Sequence, residues 1–335
     1  METLQKRLRE EAARLLGEGA VKAVVGFEEG SLPLTVMPAI ITKAEDAARL
    51  VWNPLCAQNL AKYVHDLISA HRQSQMRAKP EDRKKIKVAV AATGCATRSL
   101  VIHLNERQYE RDEVVVLGMP CNGMVDRRLI LRAAGTEELL GGELVGRTFK
   151  AATESGAVEI PVESVMAMQC RTCRYNNPII SDVEMGPAAP GKVTDREYDE
   201  VDAFEKMGDE ERFAYFTAEM AKCMRCNACR NACPSCYCRI CFADQAMPQW
   251  VGIGQSPADV QTFQFMRLFH MAGRCVDCGS CSMVCPMGVD LRKFLKKIEK
   301  DGWALFGNRV GVALNEPMLL ATAKEDDPEE FIYNP

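Results

Sequence analysis

The sequence predicts two domains of different class, an α/β domain with parallel strands followed by a smaller domain rich in helices and cysteine. Three observations indicate this division. Two short apolar, β-branched runs in the first half, IKVAVAATGC and DEVVVLGMPC, enclose a helical stretch. The same cysteine spacing occurs twice in the second half, and a segment rich in Gly, Pro and charge separates the halves. The predicted boundaries are 1–185 for the α/β domain, 186–200 for the linker, 201–300 for the cysteine-rich domain and 301–335 for an extended tail.

The elements of the first domain are predicted from apolar runs that end at glycine. An amphipathic helix opens the chain, extended segments follow at 22–25 and 35–42, and a helical pattern starts at 44. The two β-branched runs then end at Cys95 and Cys121, with a helix over 99–110 between them. Strand, helix and strand in this order are the βαβ pattern of a parallel sheet.

The second domain is predicted to contain a helical insert, 242–274, between its two cysteine runs. A helix over 201–222 leads into the domain. Within the insert, Ser256 and Asp259 form a capping box with Pro257 in the first turn, so a helix begins there and ends at Gly273. The apolar residues assigned to its buried face are Val260, Phe263, Met266, Leu268 and Phe269.

The tail after Asp301 lacks a clear period but carries large apolar side chains: Trp303, Phe306, Leu319, Leu320, Phe331 and Tyr333. It is too irregular to build a core and too apolar for a simple disordered segment. Two interpretations stay open. The tail docks on a partner subunit, or it wraps back over its own domain.

Composition excludes several classes of function. The chain has 335 residues, 47% of them apolar, a net charge of -4 and no polybasic block, which argues against nucleic acid or an anionic membrane surface as partner. No apolar run approaches the roughly 18 residues of a membrane span. We expect a protein without a membrane span, in the cytoplasm.

Sixteen cysteines are the exceptional feature, and eleven of them lie in two tight clusters. Disulfides suit short secreted chains, so metal binding is the favoured interpretation. The runs 223–233 and 275–285 both read C-x2-C-x2-C-x3-C-P, the spacing of bacterial ferredoxins, in which the fourth cysteine binds the other cluster. The predicted ligands of two 4Fe-4S clusters are therefore Cys223, Cys226, Cys229 and Cys285 for the first, and Cys275, Cys278, Cys281 and Cys233 for the second. Zinc is the alternative, but it does not call for this spacing twice.

The remaining cysteines are less specific. Cys236, Cys238 and Cys241 are ligands of a further site or packed thiols, and packing is favoured because a fourth partner is not evident. In the first domain, Cys95 and Cys121 end two parallel strands, where α/β sheets bind ligands. Together with the pair Cys170-x2-Cys173 they predict a third 4Fe-4S cluster, with Cys56 as a substitute ligand. The alternative is that these cysteines are core residues.

The segments VVVLGMPCNG and CRTCRYNNPIISDVEMG resemble the beta-subunit family of coenzyme F420 (deazaflavin)-reducing hydrogenases and formate dehydrogenases. The matching positions are Gly118, Pro120, Cys121, Cys170, Cys173, Asp182 and Gly186. The resemblance covers residues 20–190 loosely and implies an iron–sulfur cluster on Cys121, Cys170, Cys173 and Cys95, beside FAD. The cysteine runs lie after this domain, whereas many family members carry them first. This order is similar to electron-transfer subunits found beside heterodisulfide-reductase-like proteins and formate dehydrogenases or hydrogenases in anaerobes.

A flavin would need contacts other than a phosphate loop, because the sequence has no G-x-G-x-x-G motif. The candidates are helix N-termini and the side chains of Arg98, Arg127 and Arg128.

The favoured function is an electron relay between partner oxidoreductases, a heterodisulfide-reductase-like flavoprotein and a formate dehydrogenase or hydrogenase. The sequence has no catalytic motif such as G-x-S-x-G, H-E-x-x-H or a P-loop, and its four histidines form no constellation. The alternative is a flavin-bearing dehydrogenase subunit that exchanges a hydride with a deazaflavin or nicotinamide carrier. A structural or DNA-repair role is disfavoured, because such a role needs one cluster.

Overall fold

The computed structural model describes residues 2–191, 195–321, 323–325 and 327–328. The chain forms two compact units, the first made of 1–97 and 108–194 and the second of 98–107 and 195–335. Among the described residues, no helix is long and apolar enough to cross a membrane.

The first unit is built on a five-stranded sheet with the order β2-β1-β3-β4-β8. Its strands are β1 Ala23–Glu29, β2 Val36–Ile41, β3 Val88–Ala92, β4 Val114–Gly118 and, later in the chain, β8 Val183–Glu184. β3 pairs parallel with β1 and β4, β8 extends the parallel part, and β2 pairs antiparallel with β1. Every residue of β3 is buried, as expected for a central parallel strand. The predicted α/β class with parallel strands is therefore confirmed.

A second sheet in this unit was not predicted. It is an antiparallel meander of β5 Gly141–Val145, β6 Thr148–Thr153 and β7 Gly156–Pro161. Its own small core contains Phe149, Ile160 and Leu139. Alternate residues are buried in β6, only Ile160 is buried in β7 and no residue is buried in β5, so the sequence runs are too weakly apolar to stand out.

The helices that begin in the first unit are α1 Glu2–Gly17, α2 Ala61–Ser74, α3 Gly94–Asn105, α4 Arg127–Ala134, α5 Val162–Val165 and α6 Met168–Arg171. The helical pattern expected from Ala44 is a 3-10 helix, Ala44–Arg49, and α2 follows only at Ala61. The crossover helix predicted over 99–110 is α3, which begins earlier, two residues after β3, and ends at Asn105.

The second unit consists of α7 Asp199–Glu205, α8 Asp209–Ala221, α9 Ala228–Ala232, α10 Pro257–His270, α11 Ser280–Met283 and α12 Leu291–Phe306, together with most of α3. As predicted, α10 begins after Ser256, whose side chain accepts a hydrogen bond from the Asp259 N–H. α7 begins inside the segment that was predicted to be a linker.

Residues 98–107 of α3 pack within this second unit. His103 is fully buried and its ring nitrogen lies 2.8 Å from the Pro234 carbonyl oxygen. Ile102 shares a small core with Val276 and Val310. A helix of a βαβ unit therefore also forms part of the unit that carries the two cysteine runs, which the sequence did not indicate.

The predicted extended tail begins as helix, because α12 continues through Trp303 to Phe306. Further on, Leu319 packs against α12 and against the turn that follows α10. A Cβ atom at Gly273, in that turn, would lie 2.6 Å from the Leu319 Cβ, and a Cβ atom at Gly302, in α12, would lie 3.2 Å from its Cδ2. Within the described residues, this part of the tail covers its own unit. Phe331 and Tyr333 lie outside the described residues.

Candidate metal centres

The two cysteine runs follow the same backbone path. The residue before the second cysteine has a positive φ in both runs, 52° at Arg225 and 56° at Asp277. The residue after that cysteine is also left-handed, with φ 62° at Asn227 and 70° at Gly279. Left-handed geometry costs a non-glycine residue about 1–2 kcal/mol, so the surroundings must hold these loops. Such loops turn successive N–H groups inward, which is typical of Fe–S sites.

The first predicted ligand set lines one cavity. Cys223, Cys226 and Cys229 come from the first run, and Cys285 comes from the second. The fourth cysteine of the second run therefore lies with the first three of the other run, as the crossed spacing predicts. Burial raises the pKa of Cys229, whose electrostatic neighbours include Cys223 and Cys285.

Nitrogen donors contact the sulfur atoms at this cavity. The backbone N–H of Arg225 donates to Cys223 Sγ at 3.4 Å, and that of Val289 donates to Cys285 Sγ at 3.4 Å. The side-chain amide of Gln264 also donates to Cys223 Sγ, at 3.3 Å. Hydrogen bonds of this kind stabilise thiolates and tune an Fe–S cluster.

The second predicted set is more enclosed. Burial raises the pKa of Cys281 to about 12 and also raises the pKa of Cys275, and both thiols interact with Cys278. A hydrogen bond with Cys236, followed by burial, raises the pKa of Cys233, which has Cys278 as a further neighbour. Cys233 of the first run therefore lies with the cysteines of the second run. Binding of a metal cluster would release the protons of these thiols.

The three cysteines after Pro234 differ in their surroundings. The hydrogen bond from Cys233 lowers the pKa of Cys236 to about 6. Cys236 packs against the apolar core of this unit, and Cys241 packs beside Ala243 and Phe263. These two contacts agree with the packing interpretation, whereas Cys238 is exposed.

All sixteen cysteines lie among the described residues, and none forms a disulfide. In this described part of the chain, no three His, Cys, Asp or Glu side chains converge as they would around a single metal ion. The ligands of a 4Fe-4S cluster lie farther apart than those of a single ion, because each thiolate binds a different iron atom. The thiol-lined cavity and its nitrogen donors fit such a cluster better than mononuclear zinc.

The four cysteines of the predicted third site lie on three segments that meet beyond the carboxyl ends of β3 and β4: Cys95 is in the first turn of α3, Cys121 follows β4 in a loop, and Cys170 in α6 is followed by Cys173 in the next loop. The Cys121 N–H donates to the Asn176 carbonyl oxygen at 3.0 Å. A Cβ at Gly94, next to Cys95, would lie 2.0 Å from the Tyr175 carbonyl oxygen, so only glycine fits there. The loop after Cys121 approaches the cysteine pair as well, since a Cβ at Gly123 would lie 3.6 Å from the Cys170 Cβ. Segment 170–177, with Cys173, thus contacts both other loops.

Cys56, the proposed substitute ligand, is engaged in its own loop. Its side chain is 2% exposed and accepts a hydrogen bond from the Asn53 N–H at 3.4 Å. Burial raises its pKa to about 12, so the thiol stays protonated at neutral pH.

The three arginines considered for flavin binding each have protein partners. Arg98 donates to the carbonyl oxygens of Val310 and Val276 at 2.9 and 3.0 Å, both within the second unit. In the first unit, Arg127 donates to the Pro33 carbonyl oxygen, and Arg128 pairs with Asp126, the acidic cap of α4. These contacts give no support to a phosphate site on these side chains.

The buried face of α10 differs from the predicted one. Val260, Phe263 and Leu268 are buried as expected, but Met266 and Phe269 are 40% and 51% exposed. Two polar residues, Gln264 and Arg267, are instead 2% and 3% exposed. The signal was present in the sequence, because 260, 263, 264, 267, 268 and 271 form a continuous helical stripe. It was missed because a buried arginine is unexpected in an apolar core.

Comparison with known proteins matches the cysteine-rich region to a family model. Residues 219–289 match the 4Fe-4S dicluster domain. This match covers the two runs and the insert between them.

Two curated relatives are formate dehydrogenase subunits. The F420-dependent formate dehydrogenase subunit beta of Methanocaldococcus jannaschii is 31% identical over 78 residues, 23% of this chain and 20% of that subunit. The F420-dependent formate dehydrogenase 1 subunit beta of Methanococcus maripaludis is 24% identical over 366 aligned positions, 91% of this chain and 90% of that subunit. The chain thus spans a fifth of the first relative and most of the second.

A solved structure, the xenon-derivatized F420-reducing [NiFe] hydrogenase complex from Methanosarcina barkeri, is similar with a TM-score of 0.36 and 16% identity, over 52% of this chain and 63% of that chain. The assignment rests on the sequence matches and on the cysteine motifs described above. By these, the chain is similar to the beta subunits of F420-dependent formate dehydrogenases, and its residues 219–289 match a 4Fe-4S dicluster domain.

Proposed function

We propose that this protein is an iron–sulfur electron-transfer subunit that relays single electrons between partner oxidoreductases. The carrying observation is the crossed grouping of eight cysteines in one small unit, with Cys285 at the cavity of the first run and Cys233 beside the second run. Cysteines grouped in this way would hold two clusters in one unit, and such a pair would supply one-electron transfer between redox partners.

When bound, the clusters supply reversible one-electron chemistry with little movement of their ligands. The residues of the chain do the rest. The eight cysteines hold the clusters as thiolates, the inward N–H groups of the left-handed loops offset the negative charge, and the apolar core around Met220 and Leu295 keeps water away. No residue is needed to move a proton in this role.

The proposal extends to a third cluster on Cys95, Cys121, Cys170 and Cys173 in the first unit. It is supported by the contacts that join the three loops at the carboxyl edge of the sheet. The proposed partners are a heterodisulfide-reductase-like flavoprotein and a formate dehydrogenase or hydrogenase, and the relatives named as formate dehydrogenase subunits support the second of these. Sixteen cysteines that form no disulfide suit a reducing compartment, so we place the protein in the cytoplasm.

The test is iron and sulfide analysis of the full chain after anaerobic reconstitution. The full chain is used because residues 98–107 belong to the second unit, so a fragment starting near residue 201 would lack part of its core. About twelve iron atoms are expected if all three clusters form, and about eight if only the dicluster domain is loaded.

Two variants separate the sites. Cys285→Ser should remove the cluster of the first run, and Cys121→Ser should remove the third, each lowering the iron content by about four atoms. Unchanged iron in Cys285→Ser would contradict the crossed ligation, and unchanged iron in Cys121→Ser would contradict the third cluster. A colourless, zinc-loaded protein would contradict the relay itself.

A second candidate function is a flavin-bearing subunit that exchanges a hydride with a deazaflavin or a nicotinamide carrier. Both relatives are named as subunits of F420-dependent enzymes, which favours this second function. It predicts a yellow chromophore that survives cluster removal and rapid reduction of the carrier by the isolated chain. The relay predicts neither until a partner oxidoreductase is added.

A further inference from the structure

Helix α10 carries a buried cation, Arg267, that has cysteines of both predicted ligand sets as neighbours. The Arg267 side chain is 3% exposed, and its Nη2 donates to the Cys229 carbonyl oxygen at 2.9 Å. Its Nε and Nη1 atoms are buried and make no hydrogen bond among the described residues. Within the same part of the chain, no carboxylate forms a salt bridge with Arg267.

The charge of Arg267 instead interacts with cysteines of both sets. Its electrostatic neighbours are Cys229 of the first set, Cys233 and Cys281 of the second, and Cys236. An arginine guanidinium stays protonated over the whole pH range in which proteins are folded, so Arg267 brings a full positive charge into this buried position. An isolated buried cation costs several kcal/mol, and an anion is needed to offset this cost. A cubane with four thiolates carries net negative charge and would be such an anion.

We propose that Arg267 is a shared positioning residue that sets the reduction potentials of both clusters by stabilising their reduced states. The inference rests on the proposed dicluster function. Reduction adds one electron, from an external reductant, to a cluster that is already negative, and breaks no bond to the protein. A nearby buried cation favours the more negative state and therefore raises the potential.

Gln264 lies one turn before Arg267 on the same buried stripe, but its effect is confined to one site. Its amide donates to Cys223 Sγ at 3.3 Å, in the first set. α10 therefore offers one residue that acts on both clusters and one that acts on the first alone. This difference makes the proposal testable within a single protein.

The experiment is a redox titration of the reconstituted full chain, with dithionite, low-potential mediators and detection by electron paramagnetic resonance. Arg267→Gln should lower the potentials of both clusters, so that the ratio of reduced to oxidised cluster at a fixed potential falls about tenfold, which corresponds to about 59 mV for one electron. Gln264→Leu should shift one cluster only. Arg267→Lys, which keeps the charge, should shift both by a smaller amount.

Arg212→Gln is the matched control. It removes the same charge from α8 of the same unit, where Arg212 is solvent-accessible and pairs with Asp209, so neither potential should move. Full iron content with unmoved potentials in Arg267→Gln overturns the inference. If that variant fails to hold iron, Arg267→Met takes its place, because it also removes the charge while keeping a long unbranched side chain, and unmoved potentials in Arg267→Met overturn the inference. Absence of iron from the wild-type chain would instead refute the dicluster function on which the inference rests.

Discussion

The two cysteine runs of the second unit share spacing and backbone path but differ in what surrounds them. In the second run, the left-handed Asp277 accepts hydrogen bonds from Arg292 at 2.7 and 3.1 Å, and Lys296 lies 3.5 Å away. In the first run, the equivalent Arg225 donates to the carbonyl oxygens of Gly252 and Gly254 and lies over the Phe263 ring. The equivalent turn residue is therefore an anion in the second run, where Asp277 is held by cationic side chains, and a cation in the first run, where Arg225 is held by carbonyl oxygens.

The two cysteine loops also differ in solvent exposure, since the first loop is the more exposed of the two. Cys226, at the centre of the first loop, is exposed, whereas the second loop carries the buried Val276 and packs against α12 through Arg292. The comparison teaches that the spacing determines how a cluster can be held, while solvent access and local charge are set by the rest of the fold. Since exposure and charge tune potentials, two identical motifs can hold two unlike clusters.

The largest expected difference between the runs is in stability. Asp277→Asn keeps a side chain that tolerates the left-handed turn but leaves two buried cations, Arg292 and Lys296, with fewer counter-charges. We expect it to lower the free energy of unfolding by about 3 kcal/mol. Arg225→Gln loses hydrogen bonds at a more open position and should cost about 1 kcal/mol. Anaerobic calorimetry of both variants measures this, and equal losses would contradict the comparison.

Cysteine reactivity should differ by roughly tenfold or more, equivalent to about 1.4 kcal/mol. In cluster-free protein at pH 8, iodoacetamide should modify the exposed Cys226 faster than Cys281, because burial raises the pKa of Cys281 to about 12 and the thiolate is the reactive form. Raising the pH from about 9 towards 12 should accelerate modification of Cys281 as its thiolate fraction grows. Peptide mass spectrometry after timed quenching provides the rates, and similar rates at pH 8 would count against the difference in enclosure.

The smallest expected effect concerns the second left-handed position of each loop. Gly279→Ala in the second run should cost about 1 kcal/mol, because alanine at a φ of 70° is strained. Asn227→Gly in the first run removes strain of this kind and should change stability by at most about 0.5 kcal/mol. Thermal unfolding of both holoproteins tests whether the two loops need the same geometry. A larger loss in Asn227→Gly than in Gly279→Ala would show that the Asn227 side chain, not the turn, is what the first run requires.

The sequence by itself determined the elements that depend on local pattern. The continuous apolar runs that became β3 and β4, the capping box at Ser256 and the repeated cysteine spacing each report a short-range requirement: burial on both faces, an unsatisfied helix end and the shape of a loop around a cluster. The grouping of Cys285 with the first run also follows from spacing, because the proline after the fourth cysteine turns the chain away.

Only the tertiary structure decided which unit a helix serves and which polar groups are buried. The βαβ pattern assigns α3 to the sheet, yet its residues from Arg98 onward pack in the second unit, where Ile102 shares a core with Val276 and Val310. The sequence places Arg267 on the buried helical stripe of α10, but helical spacing alone does not explain why an arginine occupies a position that suits an apolar residue. Its burial becomes favourable only where cysteines from two distant runs, Cys229 and Cys281, converge around it, and such convergence is a property of the folded chain rather than of any segment.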